Sequence, residues 1–151
     1  MKKRINEIKV RFIANTKSEE IARGIMSALL GCENITVEEL GDIRCAVSEA
    51  VNNCVSHAYK EPSNNNLIYI SARLYDNHEF SVEISDNGCG FDNIQWHIEP
   101  MHTTAISNEH CGMGFVVMKS FMDRVDVKSK IGKGTTVLMR KKLTSGSEDT
   151  E

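Results

Sequence analysis

The chain has 151 residues, 40% of them hydrophobic, and a formal net charge of −3, which supports one buried core rather than two. Its basic residues are scattered apart from short runs at 2–4 and 140–142, so no cationic footprint for nucleic acid stands out. No apolar run approaches the ~20 residues of a membrane helix, the charged start MKKRINEIKVRF lacks a signal-peptide core, and the five cysteines include no C-x-x-C pair. A single-domain cytoplasmic protein with reduced thiols is expected.

In chain order, IKVRFIA (8–14) alternates like a strand, and Thr16 with Glu19 has the spacing of a capping box opening a helix that runs to about Leu30. Thr36 with Glu39 repeats that spacing before a longer helix, in which Leu40, Ile43, Val47, Ala50, Val51, Cys54 and Ala58 keep a 3.6-residue period. LIYISARLY and EFSVEIS read as strands joined through DNH, a hairpin whose second strand is closed by Asp86. From Asn87 to Met113 the periodicity is weak and glycines are frequent, which predicts a functional loop or lid. GFVVMKSFMD returns to helix, RVDVKSK and TTVLMRKKL form a last hairpin through IGKG, and the domain is expected to span 1–143 with a disordered tail, TSGSEDTE, at 144–151.

Chemistry concentrates in three places. On the long helix, Glu49, Asn53 and His57 recur at four-residue spacing, so the carboxylate and the carboxamide project from one face a single turn apart. An Asn oxygen is a hard ligand suited to Mg²⁺, and a nearby carboxylate can deprotonate an attacking hydroxyl. Taken alone, the stripe also fits a solvated face of an amphipathic helix. In SDNGCGF, Asp86 ends a strand, and Gly88 and Gly90 let the backbone turn sharply beside a flat ligand; a plain D-N-G turn is the alternative. In CGMGF, Gly112 and Gly114 precede a helix whose free N–H groups could receive phosphates, although neither the P-loop nor the dinucleotide fingerprint is present.

Taken in order, E-x-x-x-N on a helix, two strands, D-x-G-x-G, a lid, G-x-G leading into a helix, and GKGTT before the last strand resemble the GHKL ATPase superfamily. Within it, SEAVNN, HAY, DNGCGF, TT, GMGF and FMD look most like the bacterial anti-sigma factor and serine kinase family, in its sporulation anti-sigma F branch. The resemblance implies a Bergerat-type α/β (α+β) two-layer sandwich, a mixed, mostly antiparallel sheet with helices on one face, binding ATP or ADP with Mg²⁺. It implies Glu49 as general base, Asn53 as the Mg²⁺ ligand and Asp86 as the adenine-reading carboxylate. Gly88 and Gly90 would form the turn beside Asp86, while Gly112, Met113, Gly114 and Phe115 would approach the phosphates. Thr135 or Thr136 would sit near the adenine. His57 would face phosphate or serve as a structural polar residue. Thr103 and Thr104 match the lid threonines, but the family's following lysine is Ala105 here.

Two activities are implied. The chain would sequester a sporulation sigma factor of the sigma F type as a homodimer, and would phosphorylate a serine of a small anti-anti-sigma protein. Arg23 stands where the family has an arginine that contacts both partners; an exposed arginine paired with Glu19 or Glu20 is the plainer reading. Alternatives are a stress-response or orphan anti-sigma kinase with another sigma partner, a histidine-kinase ATPase domain, and a non-enzymatic module. The second is disfavoured because the first strand starts within ten residues of Met1. The third predicts loss of Glu49 or Asn53, and both are present. Cys89 and Cys111 lie inside glycine motifs, where thiol modification would block nucleotide, against simple packing of small residues.

Overall fold

The structure is a computed structural model that describes residues 1–91, 96–97 and 112–144. Its sheet has the order β1-β2-β3-β6-β5-β4, built from β1 (Arg4–Ile13), β2 (Leu67–Tyr75), β3 (Glu79–Asp86), β4 (Trp96–His97), β5 (Arg124–Lys130) and β6 (Gly134–Lys142). Every pairing between these strands is antiparallel, so the mixed sheet expected from the sequence is antiparallel throughout the described residues. Short connections explain this for β2–β3 and β5–β6, which hairpin turns join.

β1 starts four residues before the apolar alternation that announced it. Its early residues are exposed, and what carries them is the backbone ladder to β2 together with Glu7, whose carboxylate meets Arg73 at 3.0 Å and Arg4 at 2.7 Å. Along β2, Ile68, Ile70, Ala72 and Leu74 are buried while their neighbours are half-exposed, the period-2 signature of a sheet covered on one face. A row of Val10, Ile70, Ile84, Val137 and Val127 crosses five strands in register on that covered face.

The covering layer consists of α1 (Ser18–Leu30), α2 (Val37–Asn53) and α3 (Gly112–Phe121), with α2 packed between the other two. Met26, Leu30, Ile43, Val47 and Met118 fill the space above Phe80 and Met139. The two capping-box spacings have different outcomes. At α2 the box forms: Thr36 Oγ1 accepts from Glu39 N–H at 3.1 Å, and Glu39 Oε2 accepts from Thr36 N–H at 3.1 Å. At α1 it does not, because Ser18 Oγ accepts from Asn15 N–H and donates to Ile13 O, which holds the chain entering the helix by a different set of bonds. Past Asn53, α2 widens into a π-helical turn, Cys54–Ala58, a departure that periodicity alone did not announce.

Of the tail expected at 144–151, only Thr144 is among the described residues, and it is bonded to the domain. Leu143 is buried, and Thr144 donates from both its N–H and its Oγ1 to Glu39 Oε1 at 2.7 Å. Glu39 thus caps α2 with one oxygen and fastens the end of β6 with the other. Burial alone would raise its pKa, but the hydrogen bonds from Thr144 and Thr36 and the charge of Lys141 outweigh it, and the carboxyl lies below its ordinary 4.5. A carboxyl depressed in the folded state stabilises above its unfolded pKa and loses that contribution as pH falls through the folded one. Glu39→Ala is therefore expected to destabilise by about 1–3 kcal/mol at neutral pH, with a gap from wild type that narrows below about pH 4. Denaturant melts at pH 7 and pH 3 check this; a gap that stays constant would contradict it.

Candidate nucleotide site

Strand alternation explains how Asp86 comes to face the helical layer. It follows Phe80, Val82 and Ile84 on the covered face of β3, and it is 6% exposed at the strand end. Its Oδ1 accepts from Gly88 N–H at 2.9 Å and from Thr135 N–H at 3.3 Å. Burial pushes its pKa up against the opposing hydrogen bonds from Gly88, Cys54 and Thr135. Burial also pushes up the Cys54 thiol, with the Asp86 charge adding to the effect, so the thiol beside Asp86 stays protonated.

The glycines around Asp86 are required by contact. A Cβ on Gly88 would lie 2.2 Å from Ala58 O, and one on Gly90, whose φ is +61°, would lie 2.1 Å from Lys130 O. The loop following Asp86 is thereby pressed between the π-helical turn and the β5–β6 hairpin.

Between α2, this loop and α3 lies a cleft of about 500 Å³, counting the part open to solvent. Asn53, Cys54 and His57 line it from the helix, Asp86, Cys89 and Gly90 from the loop, and Phe115 and Thr135 from α3 and β6. Beside the Asn53 side of the cleft, the carboxylate of the long helix lies against the start of α3. A Cβ placed on Gly114 would stand 3.3 Å from Glu49 Oε2 and 3.4 and 3.5 Å from the Asn53 Nδ2 and Oδ1 atoms, so both polar heads converge on the first turn of α3. Asn53 Nδ2 is buried without a hydrogen-bond partner among the described residues. The unsatisfied Nδ2 and the N-terminus of α3 are donors that suit phosphate oxygens, while the Asn53 carbonyl oxygen beside the Glu49 carboxylate is the kind of oxygen set that fits a hard divalent cation.

The placement of the other sequence-predicted residues is uneven. His57 is exposed at the cleft. Thr135 lines the cleft, whereas Thr136 lies on the opposite face of the sheet, with its Oγ1 3.1 Å from Ser85 Oγ. Gly112 begins α3, Gly114 and Phe115 are buried, and the side chain of Met113 lies outside the described residues, as do Thr103, Thr104, Ala105 and Cys111. Cys89 lines the cleft and donates from its thiol to His57 O at 3.4 Å. Arg23 is on α1, where it donates to Ser48 Oγ of α2 at 3.1 Å rather than pairing with Glu19 or Glu20.

Sequence reasoning assigned Ala50, Cys54 and Ala58 to the core, and the structure shows that they also floor the cleft. Ser129 was not anticipated. Its Oγ accepts from Phe91 N–H at 2.9 Å and lies 2.8 Å from Thr135 Oγ1, steadying the loop from the β5 side. Nothing in its local sequence, VKSK, marks it out.

A family model described as a histidine kinase-like ATPase domain matches residues 12–141. The chain is 39% identical over 136 residues to an anti-sigma F factor of Caldanaerobacter subterraneus subsp. tengcongensis, covering 90% of this chain and 93% of that one. It is also 39% identical over 140 residues to an anti-sigma F factor of Clostridium perfringens strain SM101, covering 93% and 99%. Among solved structures, the RsbU and RsbW domains of Rv1364c from Mycobacterium tuberculosis superpose with a TM-score of 0.66 at 17% identity, over 91% of this chain and 32% of that one. A histidine kinase domain from Erythrobacter litoralis superposes with a TM-score of 0.55 at 18% identity, over 83% and 59%. These two likenesses concern the fold. Helix stripe, Asp86 loop and glycine-led α3 thus stand in a chain that belongs to the anti-sigma F factor family of histidine kinase-like ATPase domains.

Proposed function

We propose that this protein is an anti-sigma factor that sequesters a sporulation sigma factor of the sigma F type, as a homodimer, and that it also acts as a serine kinase toward a small anti-anti-sigma protein. The observation that carries the proposal is the convergence of Glu49 and Asn53 on Gly114, with Asn53 lining the same cleft as Asp86. Asp86 accepts the exocyclic amine of adenine, and the Gly88 and Gly90 turn lies beside the base. Thr135 stands next to it, and His57 and Phe115 line the way to the phosphates. Asn53 would hold Mg²⁺, which when bound neutralises charge on the transferring phosphoryl group. The N–H groups at the start of α3 receive phosphate oxygens. Glu49 takes the proton of the attacking serine hydroxyl, and the leaving group is ADP.

Arg23 is proposed to contact the partners. Its present bond to Ser48 sets its guanidinium between α1 and α2 while the residue stays half-exposed. The test is capture of purified sigma factor by the immobilised chain with MgATP present. Wild type is expected to retain sigma, and Arg23→Ala to retain about tenfold less while binding nucleotide unchanged. Failure of wild type to retain sigma would remove the anti-sigma assignment; equal retention by the variant would remove Arg23 from the interface.

A further inference from the structure

The two halves of the cleft, Asn53 on the helix and Asp86 on the strand, are joined by the end of the π-helical turn and the residue after it. Ala58 O accepts from Cys89 N–H at 2.8 Å, and His57 O accepts from the Cys89 thiol. One residue later, the half-buried Tyr59 donates its hydroxyl to Leu67 O at 2.5 Å, at the start of β2, and accepts from Asn87 N–H at 3.0 Å, directly after Asp86. Asn87 is held a second time, by its Nδ2 donating to Tyr69 Oη at 3.1 Å. Backbone N–H groups in such a loop have no ladder partner, so a side chain has to satisfy them.

We propose that Tyr59 is a positioning residue for nucleotide binding: its hydroxyl, bridging Leu67 and Asn87, fixes the Asp86–Gly90 loop at the position from which Asp86 meets the base. This rests on the nucleotide reading of the cleft given above. The phenol suits the task because it donates and accepts at once. Burial raises its pKa, so the donor is retained across the neutral range. Among the described residues the Tyr59 hydroxyl bonds to Leu67 and Asn87 and to neither Asn53 nor Glu49, so its loss should act on the hold of the nucleoside and not on the chemical step.

The test is Tyr59→Phe in the full chain, which keeps the ring and removes only the bridging hydroxyl. Calorimetric titration with MgADP is expected to show a Kd about 3- to 30-fold higher than wild type, the range that one or two lost net hydrogen bonds gives. Phosphoryl transfer at saturating ATP should stay within about twofold, so that KM moves and kcat does not. Amide hydrogen exchange of the free chain should speed up at Asn87 and Gly88 and stay unchanged along the β2–β3 ladder. A Kd within twofold of wild type would overturn the assignment. So would faster exchange across the whole ladder, since Tyr59 would then be holding the fold and not the loop. Wild type showing no MgADP binding would instead overturn the nucleotide reading itself, a result separable from any difference between variant and wild type.

Discussion

Glu49→Gln is expected to lower phosphoryl transfer to the anti-anti-sigma serine by about 10²–10⁴ while sigma is still held, because glutamine keeps the size and hydrogen bonding of the side chain but cannot take a proton. Position supports the split: Glu49 Oε2 lies against Gly114 at the first turn of α3 and is not among the residues that floor the base end of the cleft. Asn53→Ala should behave differently. It removes the carboxamide that would hold Mg²⁺, so transfer and ATP-dependent sigma binding should fall together. Radiolabel transfer assayed beside sigma capture checks both variants. Near wild-type transfer by Glu49→Gln would mean that the carboxylate is not the base, and joint loss of sigma binding would mean that the two activities share it.

Asp86→Asn is expected to weaken adenine nucleotides at least tenfold without destabilising the free protein. A hydrogen bond to a charged acceptor is worth about 1.5–3 kcal/mol, and asparagine can present its amide to the base where an acceptor is needed. In the free protein the sign is reversed. Burial raises the Asp86 pKa above its ordinary 3.8, so the folded chain holds that proton more tightly than the unfolded one. The ionised carboxylate therefore opposes folding at neutral pH, and its penalty fades as pH falls through the folded pKa toward the unfolded value. The asparagine can still accept from Gly88 and Thr135, so the variant should melt at or above the wild-type temperature at pH 8, with the difference shrinking toward pH 4. Thermal melts at the two pH values, with and without MgADP, measure both effects; a variant that melts well below wild type at pH 8 would show that the charge supports the fold.

Local signals made the helical layer and the alternating strands legible. The Thr36–Glu39 box marked α2 correctly because both reciprocal bonds form, and the alternation of β3 placed Asp86 on the covered face. The same box spacing at Thr16 and Glu19 misled, since Asn15 and Ser18 make the entry bonds instead, and a pattern of residue types does not reveal which of two nearby hydroxyls will be used. The choice between Thr135 and Thr136 was open to parity: Val137 is buried, and counting back by two reaches Thr135. The π-helical turn and the Tyr59–Asn87 bond were not legible. The turn left no mark in the period of apolar residues, and the bond joins residues 28 apart, which no local window contains. Glu39 binding Thr144 across 105 residues is the extreme of the same kind.

The measurement that bears most directly on the account is calorimetric titration of the wild-type chain with ADP in the presence and absence of Mg²⁺. One saturable site per chain, tighter with Mg²⁺ than without and at least about tenfold weaker in Asp86→Asn, is the predicted result. No saturable heat from the folded wild-type chain, or binding indifferent to the loss of Asp86, would contradict it.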